Sequence, residues 1–413
     1  MLGLGYVGLP TALALLDCGH QVTGLDISPD RLDRIREMDV DLIPSDLHRL
    51  DLALDEPDFV LTVDPRSMEN ADVIVICVPT PVDAYQVPDI RALRAACAEV
   101  VARCRPGQLI VLTSTTYPGT TDDLLVKPLA ERGFDVGTTV NVVFSPERIN
   151  PGVTTHEQHD VPRVVGGATP ACAARGRRLL ERIAKRVHVV SSPRAAELTK
   201  LCENTFRAVN ISLANEFASA CRVMGEDVTE ILDAAETKPY GFMRFSPGPG
   251  VGGHCIPCDP HYLLWHLRAS RTRMPVVESA MEAIERRPLE VVDRVKEVLA
   301  DARIATRGAR VLIVGVTYKA NVADVRESPA VEITGRLLRA GVLVGLADSL
   351  VPAITLEDGT RVPCVPLTDV DLSAYDLVLV HTLHDSVDPH VLTQASLLID
   401  ASYRLAGLEG VAL

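Results

Sequence analysis

Gly3-Leu4-Gly5-Tyr6-Val7-Gly8 is the stretch whose reading decides the fold. Its spacing is G-x-G-x-x-G, in which glycines allow a tight turn and a close backbone approach to a pyrophosphate. Residues 9–18 then carry apolar positions at helical spacing and run into Gly19, a C-cap residue type. Residues 21–27 read as a strand holding Asp26, a carboxylate about 20 residues beyond the glycine turn. Helix, strand and acid in this order make the turn a Rossmann phosphate site. Gly3, Gly5, Tyr6, Val7 and Gly8 would line it, and Asp26 would take the ribose hydroxyls of NAD while repelling the 2′-phosphate of NADP. Such a turn follows a strand of about five or six residues, and only Met1 and Leu2 precede it, so a natural start several residues upstream is expected.

The same rhythm continues outward. Ser28-Pro29 reads as cap plus first helical residue, and Arg31 one turn in is a candidate to flank the adenosine or to stand in solvent. Residues 72–78 form an apolar run of the buried parallel-strand type, stopped by Pro79-Thr80-Pro81. Ligands of open α/β sheets sit beyond strand carboxyl ends, so Thr80 is a cofactor-facing candidate, a plain turn being the alternative. Helix 89–104 and strand 108–114 lead to Thr115-Thr116-Tyr117-Pro118-Gly119; helix 120–131 and strand 141–144 lead to Ser145-Pro146-Glu147-Arg148. Both place polar groups on the glycine-turn side. A first domain over 1–192 is expected.

A helical pattern then runs from 193 to 224, with Leu198, Leu201, Cys202, Val209, Leu213, Phe217 and Ala220 at spacings of three and four. Its length suits a dimer interface. Lys200 and Asn204 are one turn apart on one face, suited to steadying an oxyanion, or to simple exposure on the surface. A short helix, 227–236, precedes the glycine- and proline-rich loop 245–253 and Cys255; helix resumes over 260–268 and 275–300, where Pro288 is expected to kink or break it. These belong to a central helical domain, 193–302. From 303 to 413 an α/β pattern restarts with strands at 310–315, 342–347, 376–380 and 397–400 and a helix over 330–340. Gly315-Val316-Thr317-Tyr318-Lys319 replaces the glycine fingerprint, so this second Rossmann-like domain is expected to bind something other than NAD. The fold class is α/β: two doubly wound domains joined by a long central helix and its helical domain.

A formal charge of −14 and pI near 5.3 exclude nucleic acid and anionic membrane as general partners, leaving room for a local basic pocket. No apolar run reaches the roughly 18 residues of a membrane span. The ten cysteines are scattered through apolar patterns, which indicates a reducing, cytoplasmic setting rather than a disulfide framework.

Cys255 admits several readings. His254, Cys255, Cys258 and His261 resemble half a zinc site, but no second Cys pair at similar spacing exists, and His156-Glu157-Gln158-His159 lacks the zincin spacing. A thioredoxin-like pair would need a strand-motif-helix context, and a buried thiol fits a glycine-rich polar loop poorly. A nucleophile is favoured, and no metal is expected. Beside nicotinamide, such a thiol traps an aldehyde as a thiohemiacetal, whose oxidation gives a thioester that water hydrolyses to an acid.

Gly3-Leu4-Gly5-Tyr6-Val7-Gly8-Leu9-Pro10, Ser114-Thr115, Ser145-Pro146-Glu147-Arg148, Lys200-x-x-x-Asn204 and Gly252-Gly253-His254-Cys255-Ile256-Pro257-x-Asp259-Pro260 together resemble the UDP-glucose/GDP-mannose dehydrogenase family. These enzymes oxidise a sugar C6 alcohol to a carboxylate with two NAD. The terminal Gly315-x-x-Tyr318-Lys319 and Asp324-x-Arg326-Glu327-Ser328-Pro329 resemble its UDP-binding domain. The resemblance implies Cys255 as nucleophile, Lys200 and Asn204 as oxyanion partners, and Asp259, Glu147 and Thr115 as the water and proton group. It implies a UDP-sugar held by Arg148, Arg244, Phe245, Gly250, Gly252, Gly253, Lys319 and Arg326 along with Glu147, Lys200 and Asn204, and a homodimer through the central helix. Lys238-Pro239-Tyr240-Gly241-Phe242-Met243 and Pro247-Gly248-Pro249-Gly250 look like the UDP-N-acetylhexosamine branch, with UDP-N-acetylglucosamine first, the manno epimer next and UDP-glucose as the alternative. A non-catalytic sugar-nucleotide sensor on the same fold is the competing class; it would have little reason to retain the complete set of Cys255, Lys200, Asn204, Glu147 and Asp259. Cys258 departs from the family pattern and is placed to bridge Cys255 on oxidation.

Overall fold

Parallel strands with helical crossovers dominate both halves of the chain. The computed structural model describes residues 1–413 except 41, 84, 149–157, 254, 406–410 and 413. It divides into two units, Met1–Glu203 with His261–Thr272, and Asn204–Pro260 with Arg273–Leu413.

In the first unit, α1 (Gly8–Asp17), β1 (Val22–Leu25), α2 (Pro29–Arg36), α3 (Pro44–Leu54) and β2 (Phe59–Thr62) precede β3 (Val73–Ile76). Then come α4 (Arg91–Arg103), β4 (Leu109–Leu112), α5 (Lys127–Glu131), β5 (Asn141–Phe144), β6 (Arg163–Gly167), α6 (Pro170–Leu180) and β7 (Val187–Val190). Strands β3 to β7 form one sheet in sequence order and β1 pairs with β2. Leu2 bridges Leu25 and Ile76 in parallel, so it stands where the central strand belongs and stitches the two sheets together. Its N–H donates to the Val75 carbonyl at 2.8 Å and its carbonyl accepts from Cys77 N–H at 2.8 Å. The strand interiors Ile74, Ile76, Ile110, Leu112, Val142 and Phe144 are buried with α4 residues Leu93, Cys97 and Val100 in one core face.

Helix α7 (Pro193–Met224) has the bounds its periodicity predicts. It is followed by α8 (Val228–Glu236), α9 (Cys255–Leu267), whose residues from His261 on belong to the first unit, and α10 (Pro275–Asp301). The alternation resumes with β8 (Arg310–Val314), α11 (Pro329–Arg339), β9 (Leu343–Ala347), β10 (Ala353–Thr355), β11 (Arg361–Pro363), β12 (Leu377–Val380), β13 (Leu398–Asp400) and β14 (Val411–Ala412). The five-stranded sheet runs β14-β13-β12-β8-β9, all parallel, over a core of Val291, Val295 and Leu299 from α10 against Ile313, Ile333 and Leu337.

Two expectations need correction. Helix α9 starts at Cys255, not at 260, so the thiol opens a helix instead of ending a loop; Pro257, in its first turn, needs no N–H partner there. Helix α10 runs through Pro288 unbroken, with that proline buried. The helix expected over 120–131 is present with those bounds, and a π-helical stretch, Asp122–Val126, lies within it ahead of α5. Helices α3 and α6 and strands β2, β6, β7, β10, β11 and β14 are short elements outside the expected ones.

Candidate functional site

The glycine turn of the first unit is held by its own acid. Gly3 has φ +85°, and a Cβ on Gly8 would lie 2.0 Å from the Gly3 carbonyl oxygen, so the turn closes only without side chains. Asp26 Oδ2 accepts from Leu4 N–H at 2.9 Å and Oδ1 from Ser28 N–H at 3.0 Å. Arg31 Nε donates to the Leu4 carbonyl at 3.0 Å, so this arginine braces the turn, while its backbone N–H donates to the α2 cap, Ser28 Oγ. Gly5 is exposed, and a Cβ there would meet nothing within 4 Å, which leaves its backbone open to a ligand. An open turn beside a fixed carboxylate fits NAD. Thr80 is buried after β3, and its carbonyl accepts from Tyr262 Oη at 3.2 Å. Thr115 is half-buried beyond β4.

Beyond β5 the same unit gathers Glu147, Arg148 and Lys200. Lys200, 9% exposed, donates from Nζ to the Glu147 carbonyl at 2.8 Å. Glu147 Oε1 accepts from Arg148 N–H at 2.7 Å, and Oε2 pairs with Arg163 Nη1, both partners buried. Arg148 is committed to Glu203 and to the Pro162 carbonyl. Glu197, 1% exposed, accepts from Gly119 N–H at 2.5 Å, Thr121 N–H at 2.8 Å and Thr121 Oγ1 at 2.6 Å. Burial pushes its carboxyl up, and those hydrogen bonds oppose the push. Arg163 and Glu197 were missed from sequence. Glu197 stands one helical turn before Lys200, and Arg163 is a lone charge heading an apolar strand; both are readable signals.

In the second unit, α9 brings Cys255 and Asp259 to its first turn, Cys255 exposed and Asp259 buried. Asn204, one turn past Lys200 on α7, donates from Nδ2 to Asp259 Oδ2. The preceding loop is locked against the loop that follows β8: Gly253 N–H donates to the Arg326 carbonyl at 3.0 Å, and a Cβ on Gly252 would lie 2.5 Å from Tyr318 Cβ. Gly248 N–H donates to Asn215 Oδ1 at 2.9 Å, and the Phe245 ring meets Phe206 edge-on at 5.8 Å. Gly250, Lys319, His381, Thr382 and Arg404 line a cavity in this unit. Burial first, then Arg207, pushes the Lys319 ammonium down. Arg326 folds onto Asp324, and Arg244 donates to Asp233 on α8 and to Ser246. His254, His156 and Glu157 lie outside the described residues, and among the described residues no metal-holding cluster of His, Cys, Asp and Glu occurs.

The second unit repeats the architecture of the first in one detail. Gly315 has φ +72°, and Asp348 Oδ2 accepts from Val316 N–H at 2.8 Å, as Asp26 does from Leu4. Asp348 also faces His384 Nε2 at 3.1 Å; that hydrogen bond and two from backbone N–H groups hold its carboxyl below the usual range against the opposing effect of burial.

These features define a dinucleotide-dependent oxidoreductase with a second nucleotide domain, and comparison with known proteins gives the family. Residues 1–184 match the NAD-binding domain of the UDP-glucose/GDP-mannose dehydrogenase family, 194–285 its central domain and 312–405 its UDP-binding domain. The chain belongs to this family and is an NAD-dependent nucleotide-sugar dehydrogenase. It is 34% identical over 391 residues to the UDP-N-acetyl-D-mannosamine dehydrogenase of Methanocaldococcus jannaschii, covering 93% of this chain and 85% of that one. It is 36% identical over 346 residues to the enzyme of the same name from Escherichia coli, covering 81% and 80%. Among solved structures, a UDP-D-ManNAc dehydrogenase from Pyrococcus horikoshii superposes with TM-score 0.88 at 29% identity, covering 100% of this chain and 97% of that one. A UDP-glucose dehydrogenase from Pyrobaculum islandicum gives 0.86 at 26% identity, covering 100% and 95%.

Proposed function

We propose that the protein oxidises the C6 alcohol of a UDP-N-acetylhexosamine to the uronic acid, with UDP-N-acetylmannosamine the first substrate to test and its gluco epimer the second. The observation that carries this reading is Cys255 at the amino end of α9, one turn before an Asp259 that is hydrogen-bonded to Asn204. The names of the relatives move the manno epimer ahead of the gluco one.

NAD, held by the Gly3–Gly8 turn and Asp26, supplies the hydride acceptor. Cys255 adds to the C6 aldehyde and carries the carbon as thiohemiacetal and then as thioester. A sulfur at a helix amino end lies in a field that favours the anion. Lys200 and Asn204 donate to the oxyanion. Asp259, with Glu147 and Thr115, orders water and takes its proton, so that water attacks the thioester carbon, the C–S bond breaks and the thiol is regenerated. Lys319 and Arg326 meet the diphosphate, and residues 245–253 clasp the sugar nucleotide, with Arg148 and Arg244 in supporting contact.

The three family domains correspond to 1–192, 193–302 and 303–413. A second copy of the chain is proposed to cover α7, where Phe206, Leu213 and Phe217 share one face and are 50%, 46% and 49% exposed. A mass measurement by light scattering tests it: a dimer is expected, and a monomer at micromolar concentration would end the idea. The scattered pattern of the ten cysteines in the sequence supports a cytoplasmic setting. Incubating the enzyme with NAD and a panel of UDP-sugars, reading NADH and uronate together, tests the substrate. UDP-N-acetylmannosamine should give the highest kcat/KM, and a preference for UDP-glucose would overturn the assignment.

A further inference from the structure

Cys258 is not used by the proposed chemistry, yet it sits three residues after the nucleophile on the same helix. The thiols differ in setting: Cys255 is exposed, whereas Cys258 is 4% exposed. On an α-helix, residues three apart share a face. Rise and radius place their Cα atoms about 5 Å apart, inside the roughly 4.4–6.8 Å window of disulfides. An ideal helix holds the Cβ atoms about 1–2 Å too far apart for the bond, so the turn has to tighten.

This turn is built to yield. It is the first of α9, where N–H groups have no intrahelical acceptor. Pro257 has no N–H, and Pro260, inside the helix, has none to give to the Ile256 carbonyl. Closing Cys255 onto Cys258 therefore leaves the hydrogen-bond ladder further along the helix intact.

We propose that Cys255 and Cys258 form a reversible disulfide when the enzyme meets a hydroperoxide, taking the nucleophile out of service and protecting it from irreversible oxidation. The loss of activity rests on the reading of Cys255 as nucleophile; the bond itself does not. The Cys255 thiolate attacks the peroxide, breaking the O–O bond and releasing hydroxide, to give a sulfenic acid. The Cys258 sulfur then attacks the Cys255 sulfur, the S–O bond breaks, and the departing hydroxide takes the Cys258 proton as water. The peroxide gains the two electrons that the thiols lose.

The test treats the enzyme with hydrogen peroxide without substrate, blocks remaining thiols with N-ethylmaleimide, and measures activity and the mass of the peptide containing both cysteines. The expected result is a peptide about 2 Da lighter than the dithiol and unlabelled, with activity down at least tenfold and restored by dithiothreitol. Cys258→Val, close in volume, should keep basal activity but lose it irreversibly to peroxide, with Cys255 recovered as sulfinic acid. Wild-type enzyme in which Cys255 is oxidised while Cys258 is alkylated would overturn the proposal, and that readout holds whether or not the variant folds. A bridge that forms with full activity retained would instead overturn the nucleophile reading and leave the bridge standing.

Discussion

Replacing Arg163 by methionine isolates the buried ion pair that holds Glu147. The two side chains are 5% and 10% exposed, and Arg163 Nη1 is on Glu147 Oε2 while the other carboxylate oxygen takes the Arg148 N–H at 2.7 Å. Methionine fills much of the arginine volume but leaves a buried carboxylate without this counter-charge. Removing one partner of a buried pair costs about 3–5 kcal/mol. In a unit of this size each kcal/mol moves the melting temperature by roughly 2–4 °C, so a fall of about 6–20 °C is expected in the first unit's transition by differential scanning calorimetry. The double variant Arg163→Met with Glu147→Gln removes both charges and should recover more than half of the loss, whereas Arg163→Lys should lose less than Arg163→Met. A fall below about 2 °C for Arg163→Met would show that water or another group takes over the carboxylate, and the reasoning would be wrong.

Asp26→Ala removes the acceptor that fixes Leu4 and Ser28 and the proposed partner of the ribose hydroxyls; one charge-assisted bond of about 1.5–3 kcal/mol predicts a ~10–150-fold rise in the KM for NAD, with little change for NADP. Gly252→Ala sets a Cβ 2.7 Å from the Glu327 carbonyl oxygen as well as against Tyr318, so the clasp must shift; the KM for UDP-sugar should rise at least tenfold while NAD affinity, by fluorescence titration, stays level. His381 is fully buried, with Nδ1 at 2.9 Å from Thr382 Oγ1 and no partner for Nε2 among the described residues, and burial pushes it from 6.5 down to about 4. The unfolded chain therefore binds the proton first on acidification. Its contribution is fully present above pH 6.5 and lost as pH falls through about 4, some 3 kcal/mol in all. His381→Asn, which does not titrate, should flatten that part of the wild-type stability curve between those limits; parallel curves for the two proteins would refute it.

Much of this architecture was written in local pattern. The long α7 repeat, the apolar strand runs and the Gly3–Gly8 turn are properties of contiguous residues, and each was placed to within a few positions. So was the degenerate second fingerprint, where Gly315 and Asp348 repeat the geometry of Gly3 and Asp26. What escaped was set by partners distant in sequence. Arg163 and Glu147 are joined across a sheet, and Glu197 reaches the Gly119 turn from α7; no window of sequence contains both halves. The start of α9 was misplaced because two prolines in the stretch argue against a helix locally, whereas the structure carries the helix through Pro257 and Pro260 to Leu267. Arg326 and Arg244, read as substrate groups, also pair with the carboxylates of Asp324 and Asp233.

The thioester route through Cys255 is the central claim, and the ratio of NADH to uronate in wild type and Cys255→Ser measures it most directly. Wild type should yield two NADH for each UDP-N-acetylmannosamine consumed, with uronate in equal amount to the sugar lost. Cys255→Ser should fall by orders of magnitude in uronate release while still binding NAD and UDP-sugar. Uronate released by that variant at the wild-type rate would contradict the account.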